Sequence, residues 1–109
     1  MSRPFKQRVP EDINDVIEFL GMMVLDSPTF IDRTGYFPHT NIETVFTALN
    51  EGLYLIKSEI GDKKYLMLRQ MSDRMRAHFE ADREKITDET TKGCDIIFEM
   101  KDILIASLT

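Results

Sequence analysis

Residues 40–62 read TNIETVFTALNEGLYLIKSEIGD, and the conformation of this stretch decides the fold of the chain. Ile42, Val45, Phe46, Leu49, Leu53, Ile56 and Ile60 make a sustained apolar stripe at helical spacing. The alternation of a half-buried strand is missing. The opening TNIE has the form of a capping box, in which Thr40 accepts from the Glu43 N–H and Glu43 reaches back to Thr40. Gly61 and Asp62 close the helix, with Gly61 as a left-handed cap. The pattern predicts a helix over 40–60.

Three more apolar stripes flank this one. Upstream, Ile13, Val16, Ile17, Leu20 and Val24 follow the three-and-four spacing of one helical face, predicting a helix over 10–26. Pro10 suits its first turn, and Glu11 and Asp12 sit where the helix dipole favours acid. Pro28 disfavours helix at Ser27 and ends it. The connection SPTFIDRTGYFPH, residues 27–39, carries Phe30, Ile31, Tyr36 and Phe37, which are expected to pack on the helices. Downstream, Tyr65, Leu68, Met71, Met75 and Phe79 mark a helix over 63–85. Thr87 then caps a helix over 87–107, with Asp88 and Glu89 in its first turn and Cys94, Ile97, Phe98, Leu104, Ile105 and Leu108 among its apolar positions. The short turns at 61–62 and 86–87 favour antiparallel neighbours. The expected fold is all-α: one antiparallel bundle of four main helices across residues 1–109. Leu49, Leu53, Leu68, Met75, Phe79, Ile97 and Phe98 are the expected core.

Composition supports a globular domain. Of the 109 residues, 42% are hydrophobic and 30% charged, outside the range of disordered chains. The net charge of −5 argues against a nucleic-acid partner, since phosphate neutralisation needs a basic surface. A single cysteine, Cys94, excludes an internal disulfide. The start MSRPFKQRVPED has no apolar run behind its basic residues, and LGMMVL at 20–25 is too short to span a bilayer, so no membrane association and a cytoplasmic location are expected.

The densest charge lies in RMRAHFEADREKITDET, residues 74–90, with one histidine, five carboxylates and four basic groups. On the helix before it, Arg69, Asp73, Arg76 and Glu80 are spaced as a salt-bridge ladder. His78 shares a face with Asp82 but not with Glu80, and two ligands of mixed type do not make a zinc site, so no metal is expected. Cys94 falls on a buried stripe, where free cysteine acts as a small hydrophobe. Met22, Met23, Met67 and Met100 lie near stripe edges and are candidates for a surface patch. No set of titratable groups converges on one helical face, so neither catalysis nor a cofactor is expected. Glu11, Asp15 and Glu18 line one face of the first helix with no base between them. Like charges at this spacing repel, so local helix stability does not explain them; solvation is the commoner cause, and an acidic face that meets a basic partner is the alternative.

The region 46–100 resembles a family of small all-helical bacterial immunity proteins, which protect cells carrying a type VI secretion effector that hydrolyses NAD(P). The similar parts are ALNEGLYLIKSEIGD at 48–62, LMLRQMSDRMRAHFEADRE at 66–84 and the last helix beginning at ITDET. The N-terminal third, with FIDRTGYFPH at 30–39, departs from the pattern. The resemblance implies a stoichiometric inhibitor that binds a cognate toxin at or near its active site and has no catalysis of its own. On that reading Glu11, Asp15, Glu18, Glu80, Asp82, Glu84, Asp88 and Glu89 are the candidate partner-binding residues. The alternative class is a homo-oligomeric helical adaptor or regulatory protein in which apolar edges pair between copies.

Overall fold

The protein is described by a computed structural model over residues 9–30, 41–84 and 86–108. It is an all-α bundle. Among the described residues there are five helices and no strand: α1 Ile13–Asp26, α2 Ile42–Leu55, α3 Lys57–Ile60, α4 Asp62–Ala81 and α5 Glu89–Ala106.

Helix α1 starts three residues later than the position of Pro10 predicts. Asp12 is the cap: its carboxylate accepts the Asp15 N–H at 2.7 Å. Pro10 stands ahead of the helix and is buried against α2. Gly52 makes that approach possible, because a Cβ there would lie 2.5 Å from Pro10 Cγ. At the other end the helix stops at Asp26, ahead of Ser27–Pro28, as the proline requires. Its fully buried positions are Ile13, Val16, Leu20 and Met23, with Ile17 and Val24 half-buried beside them.

Helix α2 has a reciprocal cap displaced by one residue from the expected pair. Asn41 Oδ1 accepts the Thr44 N–H at 3.0 Å, and Thr44 Oγ1 accepts the Asn41 N–H at 3.0 Å. Thr40 lies outside the described residues, as do Ile31, Tyr36 and Phe37 of the connection. The expected single helix over 40–60 is two helices. The chain leaves helical geometry at Ile56 (φ −93°, ψ 1°) and resumes for one turn as α3. Ile56 and Ile60 both stay in the core across the break, so the apolar stripe is continuous although the helix is not. Gly61, at φ +91°, then turns the chain into α4, a backbone conformation that favours glycine.

The core lies between α1, α2, α4 and α5. At its centre, Phe30, Phe46 and Phe79 meet edge to face and tilted, with centroids 5.2–6.4 Å apart. Such pairs contribute about 0.5–1.5 kcal/mol each beyond their burial. Phe30 thus does what the connection's aromatics were expected to do. Leu49, Leu53, Leu68, Met75, Phe79 and Ile97 are all fully buried, as predicted. Phe98 is a correction: it is half exposed. The methionines also divide. Met23 and Met100 are core residues, whereas Met22 and Met67 are exposed.

Helices α4 and α5 make the closest pair. Gly93 lies under the Phe79 ring, and a Cβ there would come within 2.6 Å of Phe79 Cε1. The one buried polar contact between α2 and α4 is satisfied among the described residues, with Ser72 Oγ donating to Asn50 Oδ1 at 2.7 Å.

Candidate partner-binding surface

The charged stretch 74–90 forms the corner between α4 and α5, and most of its charge is engaged within that corner. Asp82 is the hub. Its side chain is buried; Oδ1 accepts the N–H groups of Ile86 (2.8 Å) and Thr87 (3.0 Å), and Oδ2 accepts the Thr90 N–H (3.2 Å) and hydroxyl (2.8 Å). The Thr90 N–H is one of the orphan donors in the first turn of α5, and the Ile86 and Thr87 amides belong to the turn that leads into it. The Thr87 N–H, together with the Thr90 hydroxyl and the other amides, lowers the Asp82 carboxyl from 3.8 to about 2, against the opposing effect of burial. Asp82 is therefore a correction to the candidate set. It is buried and holds the turn.

Glu89 bridges the same corner. Its Oε2 lies 2.5 Å from His78 Nδ1, and its Oε1 accepts from Lys92 Nζ at 3.1 Å. The His78 hydrogen bond, then Lys92, lowers the Glu89 carboxyl. An ionised carboxylate only accepts, so His78 Nδ1 carries the proton in this contact. His78 is turned toward Glu89 and away from any ligand set. Among the described residues no three His, Cys, Asp or Glu side chains gather as a metal site would need. Glu80 is also engaged, bonded to Arg76 Nε at 2.6 Å, and this is the rung of the predicted ladder that forms. Asp88 stays exposed, 3.9 Å from Lys92 Nζ, and Glu84 is exposed.

Helix α1 is different. Glu11 and Glu18 are exposed and Asp15 is half-exposed, accepting the Glu11 N–H at 3.4 Å. The helix itself carries three carboxylates and no base. Following the Glu11–Asp15–Glu18 line toward the C-terminus brings Met22 and Leu25, 62% and 83% exposed.

Helix α1 packs antiparallel on α5. Ser27 Oγ lies 3.5 Å from Cys94 Sγ at one end, and a Cβ on Gly21 would lie 3.6 Å from Lys101 Nζ further along. In this register Leu25 is level with Phe98, and Ile17 with Ile105. Phe98 and Ile105 are 50% and 49% exposed, and Lys101 Nζ sits 6.0 Å from the Phe98 ring centre. The seam between the two helices is thus an exposed apolar strip beside acidic side chains.

Leu25, Phe98 and Ile105 were not in the sequence-derived candidate set, and Met22 entered it only as part of a methionine surface patch. The signal that could have found them is crowding. Helix α5 carries Ile96–Ile97–Phe98 and Ile103–Leu104–Ile105, and three consecutive helical residues span about 200° of the circumference, more than one buried face holds.

A shallow groove of about 420 Å³ on the other flank of α5 is lined by Met67, Gln70, Met71 and Arg74 of α4 and by Glu99, Asp102 and Ile103. Its groups are of mixed charge and it has no converging acid–base pair. No helix among the described residues is long and apolar enough to cross a membrane. Compared with protein-family models, with curated proteins and with solved structures, the chain matches none of them.

Proposed function

We propose that this is an immunity protein, which neutralises a cognate bacterial toxin in the cytoplasm by binding it stoichiometrically at or near the toxin's active site and performs no chemistry of its own. One observation carries the reading beyond the resemblance at 46–100: the acidic line of α1, a helix with no base in its own sequence, runs directly into exposed large apolar side chains. An apolar centre with a charged rim is the make-up of a protein interface, and charge of one sign favours a partner of the other. Acid suits a toxin whose own site is basic because it binds nucleotide phosphates, and complementary charge speeds its capture. In this reading the corner residues Glu84 and Asp88 add to the field, whereas Asp82 and Glu89 hold the scaffold.

The test is co-expression with the product of the adjacent gene. Rescue of growth and a stable one-to-one complex are the expected results. A non-toxic neighbour, or a toxic one that the protein neither binds nor neutralises, overturns the proposal. The exposure of Leu25 and Phe98 also favours a second reading, a homo-oligomeric adaptor; a concentration-dependent rise in solution mass would distinguish it.

A further inference from the structure

We propose that the α1–α5 seam is the docking face of this protein, and that its occupant is a basic amphipathic segment of a protein partner. This deepens the immunity reading and rests on it for the partner's biological role. The seam places three large side chains in solvent, Leu25 on α1 and Phe98 and Ile105 on α5, at exposures between 49% and 83%. Leu25 and Phe98 are level across the seam. Between the helices, Gly21 offers no side chain, and the ammonium of Lys101 lies in the gap it leaves, against the Phe98 ring. The result is an apolar strip built from both helices, which suits the apolar face of a helix or an extended segment.

Charge selects the occupant. Glu18 lies two turns before Leu25 on α1, and Asp95 lies one turn before Phe98 on α5, both exposed, and Asp102 adds its charge from between the seam and the α4–α5 groove. Lys101 is the basic residue among them. Two copies joined through this face would bring like-charged rims together, which disfavours a second copy. A segment with lysine or arginine flanking an apolar stripe satisfies both the rim and the strip. The ring of Phe98 is the anchor, since half-buried aromatics held by a neighbouring cation enter an interface with little side-chain freedom left to lose.

The probe is a short synthetic amphipathic helix of leucine and lysine, titrated into the isotope-labelled full chain and followed by NMR. A version with glutamate in place of lysine and a scrambled version of the same composition serve as controls. The expected shifts concentrate at Leu25, Phe98 and Ile105, they weaken with salt, and neither control reproduces them. Phe98→Ala weakens binding about tenfold, and Leu25→Ser weakens it as well, with the spectrum of each variant showing an intact fold. Shifts mapped elsewhere, equal binding of the acidic or scrambled peptide, or variants that bind like the wild type overturn the proposal. So does a wild type that dimerises while Phe98→Ala stays monomeric, since the occupant is then a second copy. Peptide binding at the seam together with failure to bind any toxic neighbour would leave the docking face standing and remove the immunity role.

Discussion

Asp82 Oδ2 accepts twice from Thr90, from its N–H at 3.2 Å and from its hydroxyl at 2.8 Å. The pair ties the residue just past α4 to the first turn of α5. The relation has a pH signature. The Asp82 carboxyl, normally near 3.8, is held at about 2 in the folded protein by the Thr87 amide first and by the Thr90 and Ile86 donors. A depressed carboxyl contributes stability that is fully present above its unfolded value and is lost as pH falls through its folded value. Wild-type stability should therefore drop between about pH 4 and pH 2. Asp82→Asn should be less stable at pH 7 and flatter across that window, whereas the exposed Glu84→Gln should change neither. Urea melts at a series of pH values check this.

Glu89 gives a second titration. Its carboxyl is lowered chiefly by the hydrogen bond from His78. In His78→Ala the Glu89 carboxyl should titrate at higher pH than in the wild type, with Lys92 maintaining part of the shift. Carboxyl-detected NMR resolves the difference, and an unmoved Glu89 would show that the contact is not made in solution.

The core and the seam should respond differently to truncation. Leu53 is fully buried, so Leu53→Ala should destabilise the protein by about 2–5 kcal/mol. Phe98 is half exposed, and Phe98→Ala should cost no more than about 1 kcal/mol despite the larger side chain removed. Equal losses at the two positions would place Phe98 in the core after all.

That contrast shows where the sequence was legible. Helix type and number of apolar stripes follow from spacing alone, and Leu49, Leu53, Leu68 and Phe79 fell where periodicity put them. What periodicity cannot supply is the direction in which a two-faced helix is covered. Helix α5 has more apolar residues than one face can bury, and the positions of α4, with Phe79 at Gly93, and of α1, with Ser27 at Cys94 and Gly21 at Lys101, decide that Ile97 is inside and Phe98 outside. The break at Ile56 was hidden because the apolar stripe runs through it. Asp82 was misplaced because charge and chain position mark it as surface. Its role depends on amides four to eight residues ahead, which reach it only once the corner has turned.

Two glycines on facing helices should behave oppositely. Gly93→Ala drives a methyl to within 2.6 Å of the Phe79 ring, so it should destabilise by about 1–3 kcal/mol through overpacking. Gly21→Ala meets only Lys101 Nζ at 3.6 Å, an ordinary contact, and should stabilise by about 0.5–1 kcal/mol through helix propensity. Thermal melts of the two variants check the sign in each case.

The last prediction concerns the toxin complex. The acids of α1 and those of the α4–α5 corner have the same charge but different surroundings. Glu18 is exposed on a helix without a base and Glu11 is exposed just ahead of it, whereas Glu80 and Glu89 are bonded to Arg76, His78 and Lys92. If long-range attraction steers the partner, the uncompensated pair should carry most of it, because a nearby cation cancels the field of a bridged carboxylate at a distance. Glu11→Lys with Glu18→Lys should slow association with the toxin by about tenfold at low salt and leave dissociation much less affected. The penalty should shrink as ionic strength rises toward about 0.15 M, where screening acts over roughly 8 Å. Reversal of Glu80 should disturb the Arg76 contact and alter the association rate far less. Stopped-flow association measured with the cognate toxin at several salt concentrations decides it. Equal slowing by the α1 and corner reversals, or a change confined to dissociation, would remove steering by α1 from the account.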